Sequence, residues 1–433
     1  MLIKFKTSNY LSFKGEVEFC LSASAIKEYA DLNVFEPAPL FFDTKLLKSA
    51  ILYGANAAGK SNLIKAVEFM KNFVLNSAKE LQVNDRIQVE SFKLNTQTAK
   101  RPSSFEVDFI QDSKRYKYGF NVDKERVSKE YLFEIRRGKE LMLFQRAYNE
   151  FIIGDNFIEA KDLEKKTRQN ALFLSIIAQF NGAISTRIVR WFQGIIFLND
   201  INFRSYFNHS VSILSDEKRR GQMLKILRIA NLGFEDVIIR KFKITEELLS
   251  QVPDELRKIL LSNSGGPEQV LTLHKRFDQN NHPVGQVEFN LAEEESLGTQ
   301  KYFSFAGHVL DTLTQGGILF IDELDARLHP HLSLLIVQFF NSIKDNPFNS
   351  QLVFSTHNTN LLSEKILRRD QVYFVDKDEF GSSKLYTLMD RKARGDASFE
   401  KDYLNGEYEA IPFSAEKIKQ LNLFDDSANP TLF

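Results

Sequence analysis

The chain has 433 residues, 43% hydrophobic and 26% charged, with 57 Lys and Arg balanced by 57 Asp and Glu. That is an ordinary globular composition with room for two or three lobes, and the charge balance excludes an overall basic nucleic-acid footprint. The lone cysteine, Cys20, excludes an internal disulfide and a cysteine-built metal centre. The opening Met-Leu-Ile-Lys-Phe-Lys has no long apolar stretch behind its charges, as a signal peptide would. No run approaches the ~18 apolar residues of a membrane span, so a cytoplasmic protein with no membrane contact is expected.

Residues 1 to 22 alternate apolar and polar, which predicts two strands joined around Asn9 and Gly15. Residues 24 to 47 are irregular and include Pro37 and Pro39. Ser49 to Tyr53 is a short apolar run that reads as a buried strand. It runs into Gly54, Ala55, Asn56, Ala57, Ala58, Gly59, Lys60 and Ser61, which fit the phosphate-binding P-loop G-x-x-x-x-G-K-[ST]. From Ser61 and Asn62 onward a helix is predicted, with Leu63, Ile64, Val67, Met70, Phe73 and Val74 on one face. Strand, glycine loop and helix are the context this motif requires. Gly54 and Gly59 let the backbone curl so that its N–H groups face phosphate oxygens, and the helix N-terminus adds partial positive charge. Lys60 can reach the β- and γ-phosphates and Ser61 can hold Mg2+, so ATP with Mg2+ is the expected ligand.

Residues 87 to 158 alternate in the manner of an antiparallel meander. From about 160 to 260 the pattern turns helical, with apolar residues recurring at three and four, among them 248 to 261, and a C-cap-like Asn231-Leu-Gly233. Residues 262 to 267 form a breaker cluster. Strands return over 270 to 291, with a hairpin expected at 278 to 283, and beyond them strands and helices alternate.

Gly316 to Glu323 is an apolar strand ending in two acids, a Walker B pattern. A buried strand delivers Asp322 toward Mg2+, and Glu323 is placed to polarise an attacking water as general base. Gln351 to Thr356 reads as another buried strand, ending in His357, whose imidazole can sense a γ-phosphate or the water. Glu295-Ser296-Leu-Gly298-Thr-Gln300 precedes a long helix at the place of a signature loop. Val375-Asp376-Lys-Asp378 has the D-x-D spacing of a TOPRIM nuclease, but too little chain follows for that domain, and solvated turn acids are the better reading. The basic stretches 136 to 139, 165 to 168 and 218 to 220 read as solvated faces and are the first places to look for a nucleic-acid or effector contact.

P-loop, strand-Asp-Glu, a following Asp325 and a strand-end His resemble the order of motifs in ABC-class ATPases, including the SMC and RecF heads. The signature loop departs from Leu-Ser-Gly-Gly-Gln, with Leu297 for the first glycine and Thr299 for the glutamine. Its E-S-x-G-T form resembles a narrower group, the AAA-type, ABC-class ATPases of prokaryotic anti-phage defence loci, of the RloA-like, AbiL-like and PARIS-like kinds. Asn9-Tyr-Leu-Ser-Phe13, the run from Asp322 to Pro330, and Tyr403 to Pro412 with Arg391 and Arg394 before it carry the same resemblance. It covers both ends and the ATPase motifs, and is poor over roughly 160 to 265.

The resemblance implies an α/β fold, an ABC-type P-loop head with a mixed β core lobe, an antiparallel β region and an inserted helical lobe. The expected boundaries are 1–158, 159–268, 269–390 and 391–433. It implies a head-to-tail dimer or a larger even-numbered homo-oligomer that sandwiches ATP between one P-loop and the partner's signature loop. Ser296 and Gly298 would then contact the γ-phosphate in trans, and Asp325 would lie in the dimer-contacting loop. The function implied is ATP hydrolysis that senses a phage-derived trigger and controls a separate effector, a TOPRIM-type nuclease. The alternative is an SMC- or RecF-like DNA-maintenance ATPase that binds DNA or RNA directly. Gln88 and Gln97 both stand near the place of a Q-loop glutamine.

Overall fold

The computed structural model describes residues 1–37, 44–241, 268–363, 366–393, 398–408 and 410. The helical pattern at 248–261, the breaker cluster at 262–267, Pro39, Arg394 and the chain beyond 410 lie outside the described residues. The chain divides into two compact units, Met1–Ile195 with Gln351–Phe433, and Ile196–Ser350.

The first unit contains a seven-stranded antiparallel sheet. Leu2–Ser8 pairs with Val17–Cys20 on one side and Ser103–Gln111 on the other, and the meander continues through Lys114–Val122, Val127–Arg136, Lys139–Ala147 and Glu150–Ile153. The period-two pattern explains it. Phe105, Val107 and Phe109 face Phe120, Tyr118 and Tyr116 across the ladder, and all six are buried. The alternate residues carry opposite charges, with Arg115 bonded to Asp108 (2.9 and 2.6 Å) and Lys117 to Glu140 (2.9 Å). The expected meander therefore begins at Ser103. Residues 87 to 92 are irregular and 93 to 101 form turns, because Asn95 and Thr98 turn the chain with side-chain bonds to the backbone.

Behind the apolar face lies the helix Lys60–Asn76, with Phe69 and Phe73 against Phe105 and Phe120 (4.9 and 5.4 Å between ring centroids). A second sheet centres on Ser49–Tyr53, flanked by parallel neighbours Gln351–Ser355 and Val372–Lys377, the latter pairing antiparallel with Ser383–Thr387. All five residues of the central strand are buried, as expected for a strand covered on both faces and paired on both edges.

The second unit holds the strand Ile318–Asp322 beside Ile195–Asn199, with Phe197 stacked on Phe320 at 5.2 Å. The helices Phe207–Ser215 and Glu217–Ile229 accompany the long helix Leu297–Gln315. Asp236–Lys241, Glu268–Phe277 and Pro283–Asn290 form a three-stranded antiparallel sheet, with the hairpin at Asp278, as expected. Two strands, Ile195–Asn199 and Asp236–Lys241, interrupt the stretch read as helical. Both are short runs rich in Ile, Val or Phe, where periodicity does not separate a buried strand from a buried helix turn.

Candidate functional site

The P-loop springs from the C-terminal end of Ser49–Tyr53. Gly54 has φ 153° and Gly59 φ 120°, and a Cβ at Gly54 would run into the Val375 carbonyl of the adjacent strand. Ala57 also takes a left-handed conformation, φ 62°. These turns form the kind of amide concavity that binds anions, at the N-terminus of a 17-residue helix. Lys60 is 6% exposed, and its Nζ donates to the Gly54 carbonyl (2.8 Å) and the Ala55 carbonyl (3.1 Å), so the ammonium lies over the loop. Ser61 and Asn62 stand half-buried at the first turn.

The loop is braced from behind by a small polar cluster. Asn62 Nδ2 donates to Ser12 Oγ (2.8 Å), Ser383 Oγ donates to the Ala58 carbonyl and lies 2.7 Å from Ser12 Oγ, and Ser383 N–H donates to the Ser12 carbonyl (2.8 Å). Ser12 belongs to the Asn9–Phe13 stretch, a tight turn in which Asn9 and Leu11 have φ 51° and 49°. Asn9 Nδ2 donates to the carbonyls of Thr98 and Arg101 (both 2.8 Å), and its Oδ1 accepts from Phe92 N–H (3.2 Å). That N-terminal stretch thus ties the P-loop to the turns at 92 to 102. Gln97 lies in these turns and Gln88 in the irregular stretch before them, and both make only local bonds among those described.

His357 leaves the same sheet edge. Ser355 pairs with Leu52, and Thr356 N–H donates to the Leu52 carbonyl (3.2 Å), so His357 follows one residue later, exposed beside the root of the P-loop. Tyr53 OH donates to the Asn358 carbonyl (2.8 Å), which fixes the chain just past the histidine. Ligands bind where parallel strands end in this way. The C-terminal stretch supports the same edge. Tyr403 and Tyr408 stack on Phe374 (5.4 and 5.2 Å), and Thr359 Oγ1 donates to Glu400 (2.8 Å). Asp378 is a turn acid, accepting from the N–H groups of Phe380 and Ser382.

In the second unit, Asp322 ends its strand half-buried and Glu323 is exposed with φ 55°. Asp325 lies in the turn that follows, half-buried. Ser296 is the N-cap of Leu297–Gln315, its Oγ accepting from Thr299 N–H (3.1 Å). Gly298 has no room for a side chain, since a Cβ would stand 2.7 Å from the Arg327 carbonyl. Glu295 is held away from the loop tip, accepting from Thr272 Oγ1 (2.5 Å) and bonded to His274 Nε2 (2.7 Å). Sequence reasoning missed Ser383, whose contact with Ser12 joins residues 371 positions apart.

The P-loop fits a nucleotide triphosphate. Ser61, at the first turn of the helix, would offer its hydroxyl to Mg2+, which when bound offsets phosphate charge. Among the described residues no group of three or more His, Cys, Asp or Glu could hold a metal ion. Among those residues, too, no helix is long and apolar enough to cross a membrane.

No curated protein matches the chain. Among solved structures, the SMC head domain from Thermotoga maritima is similar at a TM-score of 0.40 and 12% identity, over 89% of this chain and 98% of that one. A family's sequence model matches residues 49–363, which include the P-loop, the signature loop, the Walker B strand and His357. The chain belongs to that family, described as "AAA domain, putative AbiEii toxin, Type IV TA system".

Proposed function

We propose that this protein is an ABC-class ATPase that binds and hydrolyses ATP, associates with its own copies around the nucleotide, and governs a separate effector in anti-phage defence. The observation that carries the ATP reading is the P-loop itself, with Lys60 lying over a loop turned inward at Gly54, Ala57 and Gly59.

In this reading the loop amides and Lys60 bind the phosphates, and Ser61 and Asp322 supply oxygens for Mg2+. Glu323 orients a water and accepts its proton as the water attacks the γ-phosphorus, and the ADP oxygen leaves with the electron pair. His357 contacts the γ-phosphate, while Ser296 and the Gly298 backbone contact it from a second copy, with Asp325 in the contacting loop. ATP then bridges two copies, and loss of the γ-phosphate loosens them.

The defence role draws support from the family's description, which names a toxin of a toxin–antitoxin system, and from the E-S-x-G-T signature. An effector protein, a TOPRIM-type nuclease, is favoured over direct DNA binding because the 57 Lys and Arg are balanced by 57 Asp and Glu, and four of the nine basic side chains in the stretches 136–139, 165–168 and 218–220 are bonded within the chain. Arg136 pairs with Glu134, Arg219 with Asp311 and Arg220 with Asp236, while Arg168 donates to the Ala78 carbonyl. The test is native mass spectrometry of the Glu323→Gln form, purified with Mg2+-ATP from cells carrying the gene with its neighbours. A stoichiometric neighbouring protein on an even-numbered oligomer is expected. A bare dimer, or one carrying only nucleic acid, would overturn the effector reading in favour of DNA maintenance.

A further inference from the structure

The helix Leu297–Gln315 buries a lysine among its aromatic residues. Lys301, between Gln300 and Tyr302, is 0% exposed. An ammonium removed from water needs all its protons met and a countercharge. Lys301 Nζ donates to the carbonyls of Glu323 (3.0 Å), Leu324 (3.3 Å) and Ala326 (2.6 Å). Asp200 supplies the countercharge at 3.1 Å, and its other oxygen faces Arg327 Nε at 3.5 Å. Burial pulls the Lys301 pKa down and Asp200 opposes that shift.

The loop held in this way is the one that follows the Walker B strand, and its backbone needs holding. Glu323 and Arg327 take φ 55° and 61°, a left-handed conformation that non-glycine residues adopt only when their surroundings fix it. The three carbonyls span the loop from one of these residues almost to the other, so one ammonium grips nearly its whole length.

We propose that Lys301, with Asp200, is a positioning residue that sets the backbone of residues 323–327 and thereby aims the Glu323 carboxylate. The proposal rests on the reading of Glu323 as the group that orients water. It also gives the signature loop a physical line to the hydrolytic acid. Lys301 lies on the helix that Ser296 caps, within two turns of it, so a shift of that helix on meeting a γ-phosphate carries the Glu323 carbonyl with it.

Lys301→Met keeps the bulk of the side chain and removes its donors. Because it strands the Asp200 charge, the paired variant Asp200→Asn/Lys301→Met is measured beside it. Hydrogen exchange of residues 322–328 without nucleotide reads the brace, and ATP affinity and kcat read its consequence. Faster exchange confined to that segment, ATP affinity within about twofold of wild type and a kcat reduced about 100-fold are expected in the paired variant. Unchanged exchange overturns the brace. Faster exchange with unchanged kcat, or equal losses of ATP affinity and kcat with a lowered Tm, overturns the positioning role. A wild-type protein that binds ATP and does not turn it over overturns the hydrolysis reading, and with it the positioning role, while exchange still decides on the brace.

Discussion

At the P-loop, two residues carry separable demands. Gly59 combines φ 120° with a crowded back side, where a Cβ would collide with Ser383 Oγ and stand 2.8 Å from Ser12 Oγ. Gly59→Ala therefore meets backbone strain and a clash together, a cost of at least about 1–3 kcal/mol. A lowered Tm and lost ATP binding are expected, and wild-type melting with wild-type affinity would contradict the account of the cradle. Lys60→Ala tests charge. Losing a charged donor to phosphate costs about 1.5–3 kcal/mol, so ATP affinity should fall about 10- to 100-fold by fluorescent-nucleotide titration. Unchanged affinity would mean that the loop does not bind phosphate through Lys60.

At the scale of elements, two tasks meet at the N-cap of the helix Leu297–Gln315 in the proposed function. Ser296 caps it, and the proposed function asks the same side chain to meet a γ-phosphate on a second copy. Ser296→Asp separates these tasks, since aspartate caps as well as serine but repels phosphate. Melting close to wild type with no ATP-driven association is expected, read by thermal denaturation and light scattering. Association equal to wild type would remove Ser296 from the contact. Much of this scale was legible in the sequence. The strand Ser49–Tyr53, the helix Lys60–Asn76 and the strand Ile318–Asp322 announce themselves because motif and periodicity coincide. The strands Ile195–Asn199 and Asp236–Lys241 were hidden, being five and six residues long beside strongly periodic helices. Ser383 and Lys301 were hidden for another reason. Ser383 meets Ser12 across 371 positions, and the Lys301 carbonyl partners lie 22 to 25 residues on, relations that local pattern does not encode.

For the molecule as a whole, one acid-sensitive cluster stands in the second unit. His308 stacks on His209 (4.1 Å) and lies edge-on to Tyr206, and His209 bonds Asp311, which also pairs with Arg219. Burial, and then His209, push the His308 pKa down from 6.5 to about 4. The unfolded chain takes up this proton near pH 6.5 and the folded chain only near 4. The stability gained by keeping His308 neutral is therefore complete above pH 6.5 and is lost as pH falls through about 4. Between pH 7 and 4 the Tm of the wild type should fall more steeply than that of His308→Gln, and parallel curves would contradict the assignment. The central claim, that ATP joins two copies and Glu323 releases them, is tested most directly by light scattering of Glu323→Gln with and without Mg2+-ATP, with phosphate release followed in parallel. The account predicts a 50.0 kDa chain that doubles its mass on adding ATP and stays doubled with turnover nearly abolished. A mass unchanged by ATP, or hydrolysis at the wild-type rate, would contradict it.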